Sequence, residues 1–239
     1  MNIVGYCSFM SIYSNDWAAG YAVDIVFVID TTGSMRPVID TVKHHAMNLH
    51  DDLADVMSHK DKSISALRVR VVAFRDYLHK SSDALHESPF FTLPAQKGEF
   101  DHFVRNLSPD GGGDEPESGL EGLAAAILSP WEKGADKRRH LVVLFTDASA
   151  HPIERAASAG LLPPGFPGSF SELYDLWEGG QSGGMEHSAK RLLIYAPDCE
   201  PWRGISDLWS NTLHFPSRAG EGLEDFTFAE ILNQIASSV

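Results

Sequence analysis

Three short polar segments carry side chains that could together bind a cation. Asp30, Thr32 and Ser34 alternate directly after a long apolar run. Asp114 follows three consecutive glycines, and Asp147 closes a second apolar run. These side chains offer only carboxylate and hydroxyl oxygens, which hard divalent cations prefer as ligands. We therefore predict a site for Mg²⁺, or for Mn²⁺ or Ca²⁺, built from all of these residues.

The apolar runs along the chain have the composition of buried strands. Residues 22–29 are nearly all apolar, as a strand covered on both faces of a parallel sheet requires. Residues 67–74, 140–145 and 191–196 have the same character. The alternation of such strands with helical patterns predicts a doubly wound α/β fold, with a mostly parallel central sheet and helices on both faces. The helices are expected over 38–56, 96–107, 115–128 and the last residues of the chain, with short strands over 89–93 and 213–215.

The polar segments are expected to meet at one edge of this sheet. Ligands of open α/β sheets bind at the carboxyl ends of the strands. Asp30 and Asp147 each follow a predicted strand directly, and the glycine-rich loop precedes a predicted helix. The predicted fold therefore places the carboxylates close enough together to share one cation.

The same residues resemble the metal-ion-dependent adhesion site of von Willebrand factor A domains. Asp30-x-Thr32-x-Ser34 after a strand is similar to the first element of that site, and Asp147 after HLVVLFT is similar to the third. The second element is usually a threonine in a glycine-rich loop. Here the loop is GGGDEPE, which resembles a subgroup found in hemicentin-like and alpha-kinase-linked proteins. The resemblance covers residues 22–151 well and is looser beyond them.

The resemblance implies a role for each residue. Thr32 and Ser34 would ligate the metal through their hydroxyls, and Asp30 and Asp147 directly or through water. Asp114 takes the place of the missing threonine, so three carboxylates would surround the cation. That charge should hold the metal well but leave it less electrophilic toward an acidic group of a partner.

The resemblance also implies a binding module rather than an enzyme. It would be an intracellular scaffold or adaptor with a protein partner at the metal face. An ATPase, a kinase or a protease is the kind of protein beside which such modules work. One alternative is a metal-dependent phosphatase-like hydrolase of the haloacid dehalogenase type, although Thr32 stands where its second aspartate is needed for proton transfer. Another is an exported adhesion domain.

The polar residues have a purely structural alternative. Ser34 could be the N-cap of the first helix, and Asp114 with Glu117 could form a capping box. Arg75 and Asp76, at the end of a predicted strand, are expected to form an ion pair or anchor a loop. We favour the metal site because its three segments occur in the expected order and context.

Composition excludes several classes of partner. The chain has a net charge of −14, and no basic stripe along it predicts binding to nucleic acid or to an anionic membrane. Its two cysteines, Cys7 and Cys199, make no disulfide framework, and no run of 18 apolar residues follows the N-terminus. A cytoplasmic location is the expectation from these features.

The chain is expected to hold one domain. We predict an N-terminal extension over residues 1–20 and the domain over residues 21–239. Residues 148–190 are longer than a crossover between strands requires, so we predict an insertion there, beside the metal site. Within it, residues 169–178 form a short amphipathic helix candidate that carries Phe170, Tyr174 and Trp177, packed on the domain or on a partner.

Overall fold

The computed structural model describes residues 20–77, 84–109, 116–179, 185–221 and 223–239. In chain order, the strands are β1 (Tyr21–Asp30), β2 (Ile64–Phe74), β3 (Leu85–Glu87), β4 (Phe91–Leu93), β5 (Arg138–Phe145), β6 (Lys190–Pro197) and β7 (Thr212–Ser217). The α-helices are α1 (Arg36–His45), α2 (Leu49–Ser58), α3 (Lys97–Arg105), α4 (Gly119–Ile127), α5 (Ile153–Ser158), α6 (Phe170–Glu178), α7 (Trp202–Leu208) and α8 (Phe228–Ser238).

A single mostly parallel sheet forms the centre of the molecule. Its parallel strands lie in the order β2-β1-β5-β6-β7, so β1 and β5 are neighbours, with Ile25 opposite Leu141. Strands β3 and β4 both run antiparallel along the outer edge of β2. The predicted doubly wound α/β fold is confirmed.

Side chains alternate between two helical layers on either side of the sheet. Ile25 and Ile29 of β1 pack in one cluster with residues of α1, α2, α3 and α8. Val26 and Val28 point to the other face and pack with residues of α4, α6 and α7. Both clusters are buried, which explains why the strands of the parallel sheet are nearly continuous apolar runs.

Some element boundaries differ from those predicted. The helix expected over 38–56 is two helices, α1 and α2, joined by a 3₁₀ turn at Ala46–Asn48. Strand β3 was not predicted because it is short and two of its three side chains are exposed, so no apolar alternation marks it. The expected strand over 89–93 is reduced to β4.

The long segment between β5 and β6 supplies a layer of the core. Leu173 and Trp177 of α6 are 0% and 1% exposed, whereas Tyr174 is 37% exposed. The fully buried Lys190, at the start of β6, donates to the Trp177 carbonyl, and its ammonium lies 4.6 Å from the centre of the Trp177 ring. Helix α6 therefore covers one face of the sheet as the crossover between β5 and β6. The boundaries of the extension and of the insertion stay predictions.

None of the described helices has the length and apolar character needed to cross a membrane. The cytoplasmic location stays a prediction from composition.

Two glycines of α4 pack directly against buried side chains of the sheet and of α7. A Cβ atom at Gly122 would lie 2.8 Å from Cδ1 of Phe74 and 3.1 Å from Cγ1 of Val28. At Gly119, it would lie 2.8 Å from the Trp202 ring. All three neighbours are fully buried, so none has space to move aside.

We expect Gly122→Ala to destabilise the fold although alanine favours helices. The gain in helix propensity is about 1 kcal/mol, whereas overpacking a buried contact costs about 1–3 kcal/mol. The matched control is Gly98→Ala in α3, where an added Cβ meets no atom within 4 Å. That change should stabilise by about 0.5 kcal/mol. Chemical denaturation measures both, and a more stable Gly122→Ala protein would contradict the close packing of α4.

Candidate metal site

The first element of the site is a buried turn at the end of β1. Asp30 is the last residue of the strand and is fully buried. The backbone N–H and the hydroxyl of Thr31 both donate to the Phe74 carbonyl at the end of β2, each at 3.0 Å. The turn is thereby fixed to the neighbouring strand, and the side chain of Thr32 is held over Asp30.

Asp30 accepts hydrogen bonds on both carboxylate oxygens. The N–H and the hydroxyl of Thr32 donate to Oδ1 at 2.9 and 2.7 Å, and the Thr146 hydroxyl donates to Oδ2 at 2.7 Å. Burial nevertheless raises the pKa of Asp30 to about 6, with the nearby charge of Asp147 adding to the shift. A positive charge placed beside this carboxylate would therefore stabilise its ionised form.

A chain of oxygen atoms connects the first and third elements. The Thr32 hydroxyl lies 3.5 Å from the Ser34 hydroxyl, which donates to Oδ1 of Asp147 at 3.0 Å. Asp147 is itself buried, whereas Ser34 is exposed, so the chain runs from the interior to the surface. Parallel pairing of β1 with β5 brings these two segments together, because both follow the carboxyl end of a central strand.

The loop after β5 is held by bonds to distant segments. The Asp147 carbonyl accepts from the N–H of Gly220 at 2.9 Å, and the Ala148 carbonyl accepts from the Trp202 indole at 2.9 Å. The backbone of Glu117 bonds to Ser149 and His151, so the segment before α4 runs beside this loop. Three parts of the chain therefore meet at the carboxyl edge of the sheet.

Four of the five predicted ligands lie together at this edge. They are Asp30, Thr32, Ser34 and Asp147. The fifth, Asp114, lies outside the described residues, as do Gly111, Gly112, Gly113 and Glu115. Within the described part of the chain, no three His, Cys, Asp or Glu side chains are grouped as a metal would require. The described part of the site has two carboxylates and two hydroxyls, so the metal role stays a prediction.

The capping alternative does not match the observed helix ends. Helix α1 begins at Arg36 with Met35 as its N-cap, and Ser34 makes no capping hydrogen bond. Helix α4 begins at Gly119 with Ser118 as its N-cap, so Glu117 lies before the helix. Ser34 and Glu117 are therefore not at the N-cap or N3 positions of α1 and α4, and Asp114 of the expected capping box lies outside the described residues.

Sequence reasoning missed the contribution of Thr146. Its hydroxyl accepts from the N–H of Ala148 at 3.2 Å while it donates to Asp30, so it links the two strand ends. Its position directly before Asp147 was the available signal. Arg75, expected to form an ion pair or anchor a loop, donates to the Ser108 carbonyl at 2.6 Å, and so anchors the chain ahead of the glycine-rich segment.

A further buried carboxyl lies in the first turn of α4. Glu121 is 1% exposed, and its Oε2 has no hydrogen bond from any described residue. Burial raises its pKa to about 7, and the nearby Asp76 and Glu154 add to the shift. The sequence did not indicate this burial, because a glutamate in the first turn of a helix is usually solvated.

The chain matches the model of the von Willebrand factor type A domain over residues 24–159, more than half of its length. This match covers β1, α1, β2, α4, β5 and the segments that meet at the carboxyl edge. The chain belongs to the von Willebrand factor type A family, a family of protein-interaction modules.

Solved structures show the same fold. Two crystal structures of the pilus adhesin SpaC from Lactobacillus rhamnosus GG align with 91% of this chain at 12% identity, with TM-scores of 0.50 and 0.53. The chain covers 30% of the adhesin in both cases, and one of the structures is an open conformation.

A curated relative is an alpha-protein kinase, vwkA, from Dictyostelium discoideum. The two are 27% identical over 149 residues, which is 62% of this chain and 22% of the kinase. The chain thus spans about a fifth of the length of that relative.

The raised pKa of Glu121 predicts how the free energy of unfolding depends on pH. Its folded pKa of about 7 exceeds the ordinary value of 4.5, so the folded state holds a proton that the unfolded state releases. This contribution to stability is present below pH 4.5 and lost as the pH rises through 7, by about 2–3 kcal/mol. Glu121→Gln should remove this loss.

Denaturation curves of both proteins in chelator, from pH 4.5 to 8, measure the difference. Glu99→Gln, an exposed first-turn acid of α3, is the control and should keep the slope of the parent protein. A Glu121→Gln protein with the parental slope would contradict the burial of an uncompensated carboxyl at this position.

Proposed function

We propose that this chain is a divalent-cation-dependent protein-interaction module. Mg²⁺ is the preferred cation, with Asp30, Thr32, Ser34, Asp114 and Asp147 as its ligands. The observation that carries the proposal is the continuous set of oxygens from Asp30 through the two hydroxyls to Asp147. The set begins and ends with a carboxylate, and it lies at the edge of the sheet where ligands of parallel sheets bind.

The donor set fits a hard cation. All of its atoms are oxygens, and the hydroxyls of Thr32 and Ser34 have lone pairs that a cation would share. The two described carboxylates raise the electrostatic energy of the metal-free site, since Asp147 contributes to the raised pKa of Asp30. A divalent ion would offset this repulsion, and Asp114 would add a third negative charge from the neighbouring loop.

The site supports binding better than hydrolysis. The residue two positions after Asp30 is Thr32, whose hydroxyl donates to Asp30 itself. A hydroxyl in that place is a poor general acid or base at neutral pH, which disfavours the phosphatase-like alternative. The family match supports a module that presents a metal-containing face to a protein partner.

The partner is proposed to be an enzyme for which this chain serves as a scaffold or adaptor. The match to part of an alpha-protein kinase supports a kinase as that enzyme. Three carboxylates around one cation would reduce its attraction for a further carboxylate. We therefore propose that the partner recognises the shape and hydrogen-bonding groups of the metal face more than it coordinates the metal.

We also propose that residues 21–239 are one domain in which residues 148–190 include an insertion. Only the first part of this segment lies at the metal edge, because α6 is needed to cover the sheet. Helix α5 packs near Tyr77 through Ala156, and Phe170 donates its N–H to Glu154. This part, rather than Trp177, is the proposed contributor to the choice of partner.

Metal binding should stabilise the fold, since the site exists only when β1 and β5 are paired. A ligand at about 100 times its Kd stabilises by about 2.7 kcal/mol, which corresponds to a rise of about 5–10 °C in Tm for a domain of this size. Thermal unfolding in Mg²⁺, Mn²⁺ or EDTA measures the effect. Asp30→Ala should abolish it and raise metal-free stability, because one of two repelling and buried charges is removed.

The control is Asp175→Asn, which changes an exposed acid on α6 by one charge. It should retain the full metal-dependent shift. Equal Tm values in saturating metal and in chelator for the parent protein, or a shift that survives in Asp30→Ala, would refute the metal site.

A further inference from the structure

The amino ends of the strands form the edge opposite the metal site, and they carry arginines of two kinds. On the face covered by α4 and α6, the arginines are paired with acids. Arg68 donates to both oxygens of Asp24, and Arg138 donates to Glu186. The charge on this side of the edge is therefore neutralised within the molecule.

On the face covered by α8, the described cations at this edge are not paired with acids. Arg139 and Arg191 point to this face from β5 and β6, and Lys60 and Lys62 lie between α2 and β2. We name these four residues the basic cluster. None of them forms an ion pair with a described residue, and Asp61 between the lysines is not within ion-pair distance of them.

The cluster's described hydrogen bonds go to neutral carbonyls. Lys62 donates to Ala236, Arg139 to Arg138, and Arg191 to Ser188 and Lys190. The Nε of Arg139 is buried with no hydrogen bond from a described residue. Burial, followed by the charges of Lys60 and Arg139, lowers the pKa of Lys62, and burial with the charge of Arg139 lowers the pKa of Arg191. The cations thus repel each other.

The end of α8 balances only part of this charge. The carbonyl of Ala236 that binds Lys62 belongs to the last turns of the helix, where the dipole is equivalent to about half a negative charge. Asp61 adds one more. The basic cluster therefore keeps a net positive charge in a chain whose net charge is −14.

A cleft continues from the cluster between α8 and β7. Its volume is about 340 Å³, and Arg191 lines it. Leu213 lies in its wall and is 50% exposed. Leu193 also lines the cleft, and its other walls are polar, from Asn211, Thr212, Gln234, Ser237 and Ser238. The surface thus combines cations that form no ion pair with a described acid with the side chains of Leu193 and Leu213. The Arg139 guanidinium also lies over the Tyr21 ring, 5.1 Å from its centre.

We propose that the basic cluster and this cleft bind an acidic segment of a partner protein, with an apolar side chain of the segment against Leu213. The partner's carboxylates complement cations that pair with no acid in the described part of the chain. An exposed leucine is suited to an apolar side chain of a peptide. Specific nucleic-acid binding also uses more phosphate contacts than four cations provide. The surface lies at the edge of the sheet opposite the metal site, so one chain could hold two partners.

The test uses the full chain and a fluorescein-labelled peptide, EDELLEDE. Fluorescence anisotropy should show saturable binding that weakens with salt, because the attraction is electrostatic. The Arg139→Gln/Arg191→Gln protein should bind about ten-fold more weakly. The neutral peptide QNQLLQNQ should bind at least ten-fold more weakly to the parent. Leu213→Ala should reduce affinity for the acidic peptide by a few-fold without changing its salt dependence.

Two further proteins separate this surface from general charge effects. Arg203→Gln/Arg218→Gln removes two exposed cations near the metal edge and should bind the peptide within two-fold of the parent. Lys60→Glu changes a fully solvated side chain of the cluster, and should weaken binding even if the double arginine variant does not fold. Equal losses in the cluster variants and in the metal-edge control would overturn the proposal. So would tighter binding of single-stranded DNA or of phosphatidylserine vesicles than of the peptide.

Discussion

The molecule is organised around two carboxylates, Asp30 and Asp147, that adjacent parallel strands hold at one edge of the sheet. Like charges in a buried setting cost free energy, which is expressed in the raised pKa of Asp30. The surrounding hydroxyls of Thr32, Ser34 and Thr146 offset part of that cost with hydrogen bonds. A natural sequence retains such a cost where function requires it, and a cation is the simplest group that removes it.

The rest of the fold holds these strand ends in place. Continuous apolar runs bury β1 and β5 on both faces, and their parallel pairing from Ala22 to Ile29 aligns their carboxyl ends. Glycines bring α4 against Phe74, at the carboxyl end of β2, and Trp202 bonds to the loop after Asp147. The site is thus built on rigid elements, as a binding face with a defined geometry requires.

Charge is distributed unevenly between the two edges of the sheet. The carboxyl edge carries the buried acids, and the amino edge carries arginines that are paired on one face only. Net charge conceals this pattern, because 33 acidic residues outweigh 19 basic ones over the whole chain. Lys60 and Lys62 are far along the chain from Arg139 and Arg191, and no local stretch of sequence marks the four as a cluster.

Periodicity alone was sufficient for the main elements of this fold. The buried runs before Asp30 and Asp147 indicate central strands because each is short, nearly continuous and ends at a polar residue. The motif around Asp30, Thr32 and Ser34 is local, so its spacing could be recognised directly. The break between α1 and α2 could not be recognised from the sequence, because the apolar spacing continues through the 3₁₀ turn at Ala46–Asn48.

Proximity between distant segments was decided by the tertiary structure. Pairing of β1 with β5 joins Ser34 to Asp147 and Thr146 to Asp30, contacts that span 113 and 116 residues of chain. Folding also buries Glu121, and among the described residues it gives Arg138 the acid Glu186 but gives Arg139 and Arg191 no ion pair. Burial and pairing of charges depend on which strands become neighbours. A local pattern of side chains carries no information about distances across the sheet.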